Sequence, residues 1–425
     1  MSALIDELSW RGFIHQQTDE VQLAEHLSSG SRSVYAGFDP TGDSLTIGNL
    51  VPIMLLAHFQ RAGHRPIVLT GGATGLIGDP SGKSAERQLQ SLEQVQHNVS
   101  KIRRIFSSIL QFDGPNAAKL VDNADWLLGL GYLEVLRDVG KHFTVNAMIQ
   151  RDSVRERLNN REQGISYTEF SYMILQAYDF NYLSKTEDVT VQMGGSDQWG
   201  NIVAGIELTR RLQNRTVFGL TSPLLVKADG GKFGKTENNP IWLTAEKTSA
   251  YAFYQFWINT ADADVERFLR LFTFLSKDEI GELMAQHNAD PSQRVAQKRL
   301  ATEVTRLLHG AEGLSRAEAA TSALFSGDVA GLDEATLAEA FAAVPSSEHE
   351  LHQLAGTGLS FVDLLPQTSL CKSKREAREF LAAGSISVNG RKVEPEASLT
   401  EKDLLHGRLA LLRRGRKAWH VTRWA

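Results

Sequence analysis

Tyr35-Ala36-Gly37-Phe38-Asp39-Pro40-Thr41-Gly42-Asp43-Ser44-Leu45-Thr46-Ile47-Gly48-Asn49-Leu50 passes from a β-branched and aromatic run, through a polar turn, into helical spacing. Residues 32–38 read as a strand and 47–60 as a helix. The pattern repeats. A strand at 66–70 meets glycines and a helix at 85–112, and a strand at 188–193 ends in Gly194-Gly195 before a helix at 198–212. Strand, glycine turn and helix in repetition predict an α/β fold with a doubly wound parallel sheet. Ligands in such sheets sit at the carboxyl ends of the strands, where these glycines fall.

From 245 to 344 glycine is sparse and apolar residues recur at helical spacing, as in Phe268, Leu269, Phe272 and Leu275, which predicts a helical domain. Residues 345–350 are polar and unpatterned and read as a linker. The last segment holds helical stretches at 362–365 and 374–383, then short apolar runs either side of Asn389-Gly390, a hairpin signal. The expected bounds are a Rossmann-like catalytic domain at 1–230, a helical domain at 231–345, a linker at 346–358 and a small α+β domain at 359–425.

The 425 residues are 42% hydrophobic and 22% charged, as in an ordinary globular protein. No apolar run is long enough to span a bilayer, and residues 2–20 do not read as a signal peptide. One cysteine, Cys371, excludes an internal disulfide and a cysteine-based zinc site, and the expected setting is cytoplasmic. The net charge is −5, yet from Lys372 onward 13 Lys and Arg face 6 Asp and Glu. A basic tail on an acidic body suits a local polyanion contact, and equally a solvated surface.

Four segments could carry chemistry. In the first, Gly37 and Gly48 let a ligand approach the backbone, the helix start offers N–H groups to phosphate, and Thr41, Thr46 and Asn49 add neutral donors. A plain strand–turn–helix connection would look similar. The second, Gly71 to Ser84, invites a phosphate-loop reading that fails because Ile77 stands where the opening glycine should be. Lys83 and Arg87, one helical turn apart, could neutralise a pyrophosphate or face solvent. The third, Gly194-Gly195-Ser196-Asp197-Gln198, offers Asp197 to a ribose diol. In the fourth, Lys232-Phe233-Gly234-Lys235-Thr236, flanking glycines suggest a lysine-bearing loop that can meet a transferring phosphate, although such loops are often only surface.

Together the four resemble the signatures of class I aminoacyl-tRNA synthetases, the fourth in the form typical of the tyrosine enzymes. The segment from Tyr167 to Asp179 and that from Gly194 to Asn201 look like tyrosine-specific elements, and the resemblance covers essentially the whole chain. It implies tyrosine activation with ATP, with Mg²⁺ accompanying the nucleotide, and transfer to tRNA by a homodimer. Tyr35 and Asp179 would hold the substrate hydroxyl. Asp79, Tyr172 and Gln176 would surround its ammonium, Gln198 would lie by its carboxylate, and Asn123 would support the site. Gly37, Asp39, Thr41, Gly48, Asn49, Gly195, Asp197 and Lys235 would line the ATP site. Thr41, Thr46, Lys83, Arg87, Lys232, Lys235 and Thr236 would act on the departing pyrophosphate.

The segment 359–425 resembles a small RNA-binding domain first known from a small-subunit ribosomal protein, and Lys372, Lys374, Arg375, Arg378, Arg391 and Lys392 would contact RNA. One departure stands out: Thr46 and Asn49 occupy the two histidine positions of the first signature. Retained activity is the expectation. The alternative is a catalytically weak, synthetase-like RNA-binding protein, and tryptophan activation on the same fold is a third reading.

Overall fold

A computed structural model describes residues 3–81, 89–151, 154, 155, 158, 164–228, 230, 233–236, 239–326, 329, 331–342, 344–415 and 418–425. The chain divides into two compact units, residues 1–248 with 258–308, and 249–257 with 309–425.

The first unit is built on a six-stranded sheet. Its strands are β1 (Gln16–Gln17), β2 (Ser33–Phe38), β3 (Arg65–Thr70), β4 (Lys119–Asp122), β5 (Val189–Gly195) and β6 (Phe218–Ser222), in the order β1-β6-β5-β2-β3-β4. All neighbours run parallel except the β1–β6 edge pair. After β2 the chain winds outward through β3 and β4, then crosses back to β5, so the winding reverses between β2 and β5. A crevice opens at the carboxyl ends of two strands at such a reversal. The central strands are nearly continuous apolar runs, Ser33 to Ala36 and Val189 to Gly194 being buried, as parallel strands covered on both faces must be.

The expected strand–glycine–helix units form with shifted bounds. The first helix opens with a 3₁₀ turn, Ile47–Asn49, before Leu50–Arg61. The helix expected at 85–112 is observed at Leu92–Ser107, capped by Ser91, while 82–88 lie outside the described residues. Leu92 to Ser107 holds its apolar residues at Val95, Val99, Ile102 and Phe106, one helical face; the polar residues before Ser91 have no such stripe. The helix Tyr167–Thr186 starts at Ser166, whose hydroxyl accepts from Glu169 N at 3.2 Å. It packs on Trp199–Gln213, the helix that follows β5. A two-residue hairpin, β7 (Lys235–Thr236) and β8 (Asn239–Pro240), lies in the lysine-bearing segment.

Two expected boundaries need correction. Residues 345–350 are no linker, because Ser346–His349 is a strand, β9, paired parallel with the last strand. Nor do 231–345 and 359–425 divide as separate domains. Within the second unit Ala320, Ala323, Leu337 and Phe341 share one core cluster with Leu409, Leu411, Trp419 and Val421. The helical residues lack apolar partners enough of their own, and the terminal strands supply them. That unit holds β10 (Leu359–Ser360) paired with β13 (Ser398–Leu399), and a sheet in the order β12-β11-β14-β15-β9. Its further strands are β11 (Ile386–Val388), β12 (Arg391–Lys392), β14 (Leu409–Arg414) and β15 (Ala418–Trp424). The hairpin at Asn389-Gly390 forms as expected, with φ of 48° and 85° at its two turn residues. The helix Lys374–Ala382 packs Ala377 and Leu381 inward and presents its charged face outward. Among the described residues no helix is long and apolar enough to cross a membrane.

Candidate active site

The helix Tyr167–Thr186 sets one wall of the crevice. Tyr172, Gln176 and Asp179 stand at i, i+4 and i+7, so they share one helical face. Opposite stand Tyr35 on β2, the turn after β3, and Asn123 just after β4.

Asp179 is 1% exposed and accepts from Asn123 Nδ2 at 3.0 Å and Trp126 Nε1 at 2.8 Å. Burial raises its pKa to about 7, against the lowering effect of those two donors. Tyr35 is fully buried, tilted against Phe180 at 5.4 Å between ring centroids. Burial and then the Asp179 charge hold its phenol well above the usual range, so it stays protonated. Its hydroxyl has no hydrogen-bond partner among the described residues. A buried, unsatisfied hydroxyl costs stability, and its persistence beside a carboxylate marks a place for an incoming polar group.

The network continues from Asn123. Its Oδ1 accepts from Ala73 N at 2.8 Å, and its Nδ2 also reaches Thr74 Oγ1 at 3.0 Å. Thr74 Oγ1 donates to Asp39 Oδ1 at 2.8 Å, and Tyr172 OH donates to Asp39 Oδ2 at 2.8 Å. Burial, then Asp39 and Asp79, push the Tyr172 phenol well up, which keeps it a donor. Gly71 and Gly72 make this possible. A Cβ on Gly71 would lie 2.1 Å from Asp39 Oδ1, and one on Gly72 2.1 Å from Asp122 Oδ1, whose carboxylate accepts from Gly72 N at 3.0 Å and Ala124 N at 2.9 Å.

A second set lies at the end of β5. Gln198 Nε2 donates to Asp79 Oδ2 at 2.7 Å and to Asp197 Oδ2 at 3.3 Å. Asn201 Nδ2 donates to Gln176 Oε1 at 2.9 Å and to Gln198 Oε1 at 3.4 Å. Thus Asp79, Gln176, Asp197 and Gln198 gather around one rim, with Gly195 next to Asp197.

Thr41, Gly37 near the end of β2, and Gly48 in the 3₁₀ turn are exposed. Thr46 departs from a simple phosphate-donor role. Its N–H and its hydroxyl both donate to Asn49 Oδ1, at 3.0 and 3.1 Å, so its side chain caps the 3₁₀ turn. Ile47 N donates to Ile241 O and Ile241 N to Gly234 O, both at 2.9 Å, which ties the first motif to the lysine-bearing one by backbone bonds. Lys235 and Thr236 form β7. Lys83, Arg87 and Lys232 lie outside the described residues.

Four participants escaped the site assignment made from sequence: Trp126, Thr74, Asp122 and Asn201. Trp126 stands three residues after Asn123, and its indole is a donor only, a spacing that places it on the same short helix Ala124–Leu127. Thr74 and Asp122 carry no distinguishing local signal.

In the second unit Lys372, Lys374, Arg375, Arg378, Arg391 and Lys392 are all exposed. Lys374 Nζ lies 2.5 Å from Asp363 and Arg375 Nε 3.1 Å from Glu379. Such exposed pairs contribute little to stability and open readily to a phosphate.

Among the described residues the site has donors, acceptors and a polar rim, and no nucleophile–base pair. Residues 28–326 match the family described as tRNA synthetases class I (W and Y), and 336–422 match the tyrosine–tRNA ligase SYY-like C-terminal domain. A tyrosine–tRNA ligase of Aliivibrio fischeri (strain MJ11) is 51% identical over 424 residues, 99% of this chain and 98% of that protein. One from Escherichia coli O139:H28 is 51% identical over 426 residues, 100% of this chain and 99% of that protein. Among solved structures, a C-terminally truncated Aspergillus nidulans mitochondrial tyrosyl-tRNA synthetase superposes with a TM-score of 0.69 at 33% identity, covering 76% of this chain and 95% of that one.

Proposed function

The chain belongs to the class I tRNA synthetases of tryptophan and tyrosine, and from that premise we propose how its side chains divide the work. It is an aminoacyl-tRNA ligase specific for tyrosine: ATP and tyrosine give tyrosyl-AMP and pyrophosphate, and the tyrosyl group passes to the 3′-terminal ribose of tRNA. The non-catalytic alternative is not favoured.

In this reading Asp179 accepts from the substrate phenol and Tyr35 donates to it. The observation that carries the assignment is the buried Tyr35 hydroxyl, without a partner among the described residues, beside Asp179. Tyr172, Gln176 and Asp79 surround the ammonium, Gln198 lies by the carboxylate, and Asn123 with Trp126 holds Asp179 in place. Asp39, Gly195 and Asp197 line the nucleotide site, with Gly37, Gly48 and Asn49.

The tyrosine carboxylate is already an anion, so in-line attack on the α-phosphate needs no general base. Rate then comes from alignment and from stabilising charge on the departing pyrophosphate. Thr41, Lys83, Arg87, Lys232, Lys235 and Thr236 supply that charge stabilisation. Thr46 contributes through Asn49, which it holds.

Among the described residues no carboxylate cluster offers Mg²⁺ a cage. Asp39, Asp79, Asp122 and Asp179 are each engaged by N–H or O–H donors, and among the described residues no three His, Cys, Asp or Glu gather as ligands. Mg²⁺ would ride on the phosphates of ATP.

The six basic residues of the second unit meet tRNA in the cytoplasm, a setting that a single buried thiol, Cys371, suits. The homodimer that the family resemblance implies is supported by exposed apolar side chains of the first unit. Leu128, Tyr132, Leu133, Leu136, Val145 and Ile149 are between 40% and 79% exposed, a patch that a second copy would cover. Sedimentation of wild type against Leu133→Asp tests the dimer.

Pyrophosphate exchange with tyrosine, tryptophan and phenylalanine tests the substrate assignment. Tyrosine alone should support rapid exchange; equal rates with phenylalanine would remove Tyr35 and Asp179 from their roles.

A further inference from the structure

Two histidines in the second unit are joined through a serine in a direction that the backbone dictates. Ser369 N donates to His420 Nδ1 at 3.1 Å, and a backbone amide can only donate. His420 Nδ1 therefore carries no proton, and the neutral ring bears its hydrogen on Nε2. That Nε2 lies 2.9 Å from Ser347 Oγ, so it donates there. The serine hydroxyl in turn lies 2.7 Å from His349 Nε2, within hydrogen-bond distance. His349 stacks on Trp424 at 4.7 Å. His420 is 3% exposed on β15, whose neighbour Val421 pairs with Ser346 of β9.

Ser369 begins the turn that leads to Lys372 and the helix Lys374–Ala382. The same turn is held from β14 by Arg414, which donates to Leu370 O. Of the charged and titratable groups, His349 from β9 acts on His420, while Glu376 and Arg414 act on the Cys371 thiol of the turn. Arg413 instead lies over the Trp419 ring, 4.9 Å from its centroid.

We propose that His420 is a positioning residue for the RNA-binding surface, a latch that holds the turn before the basic helix only while its ring is neutral. The Ser369 hydroxyl also lies 2.9 Å from Nδ1, so protonation would turn that hydroxyl from donor to acceptor and set the new hydrogen against the Ser369 N–H, which loses its acceptor. Burial, then His349, lowers the pKa of His420, consistent with a ring held neutral. A depressed histidine pKa contributes stability above the ordinary value of about 6.5 that is lost as pH falls below it. The proposal rests on the reading that Lys372, Lys374, Arg375 and Arg378 meet tRNA.

The full chain is titrated from about pH 8 down to about pH 5, with tRNA binding and the His420 ring and Ser369 amide resonances followed together. At neutral pH the ring should show a bare Nδ1 and a protonated Nε2. As pH falls, tRNA affinity should drop about tenfold, against the general trend for a surface gaining positive charge, and the Ser369 amide should shift in step with His420. The KM for tRNA should rise in the wild type and not in His420→Asn, while tyrosine-dependent exchange, which follows Asp179, changes with pH alike in both. His420→Asn keeps an acceptor for Ser369 N–H and cannot gain a proton, so its binding profile should lose the acid drop. A proton on Nδ1 at neutral pH, or a Ser369 amide indifferent to the titration, overturns the latch. If instead the two resonances move together while tRNA affinity does not, the latch stands as a structural device and its role in RNA binding is refuted. Charge reversal at Lys374 and Arg375 that leaves tRNA binding unmoved defeats the RNA reading alone.

Discussion

The proposed tyrosine pocket and the proposed RNA-binding helix are built on opposite physical terms. Around Asp179 the polar groups are buried, and one run of hydrogen bonds links Trp126, Asp179, Asn123, Thr74, Asp39 and Tyr172. On the helix Lys374–Ala382 the Lys374 and Arg375 side chains are 62% and 88% exposed. A buried network discriminates because a wrong ligand leaves a partner unpaired in low dielectric. An exposed charge discriminates little but attracts at long range and costs almost nothing to rearrange. One chain can therefore be strict about its amino acid and tolerant in how it grips a polyanion.

The comparison can be broken most severely at Asn123. It satisfies Ala73 N, Thr74 and Asp179 at once with no exposure, so Asn123→Ala should cost ~3 kcal/mol of stability, read by denaturant midpoint, and impair tyrosine binding too. A change of only a few tenths would show that the network relaxes as freely as a surface. Reversing Arg375 and Arg378 to Glu should raise the KM for tRNA and lessen the salt dependence of binding by about one unit of slope per lost phosphate contact, leaving stability and exchange intact.

Tyr35→Phe removes a hydroxyl that bonds nothing else among the described residues. Stability should hold or rise slightly, while tyrosine affinity falls by ~0.5–1.5 kcal/mol in the exchange assay. Asp179 adds a pH test. Its pKa of about 7 means that the folded chain holds a proton the unfolded chain has released between about pH 4 and 7. Stability should decline as pH rises through that window, while the KM for tyrosine improves as the carboxylate ionises. Trp126→Phe removes one donor and should move that improvement to higher pH. The smallest effect belongs to Thr46→Val. It loses one bond to Asn49 and keeps the backbone N–H, so exchange should fall less than about tenfold.

β2, β3 and β5 were legible because each is an apolar run with glycine at or just past its end, Gly37, Gly71 and Gly194-Gly195, whereas the short β4 and β6 carry no such signal. The helix carrying Tyr172, Gln176 and Asp179 was visible as a motif, and its spacing alone puts the three on one face. The roles of Trp126 and Thr74 were not legible, since each depends on residues about 50 positions away meeting through the sheet. Thr46 illustrates the reverse. Its position in a signature suggested phosphate contact, whereas local hydrogen-bond competition turned its side chain back onto Asn49. The strand at Ser346–His349 was hidden because its partner, β15, follows some 75 residues later and its own residues are polar.

The central claim is that Asp179 and Tyr35 read the substrate's far hydroxyl from inside a satisfied network. The direct measurement is the ratio of kcat/KM for tyrosine over phenylalanine in pyrophosphate exchange, for wild type and Asp179→Ala. The account predicts that the ratio collapses by ~10–100-fold, through loss on tyrosine with phenylalanine little changed. An unchanged ratio would contradict it.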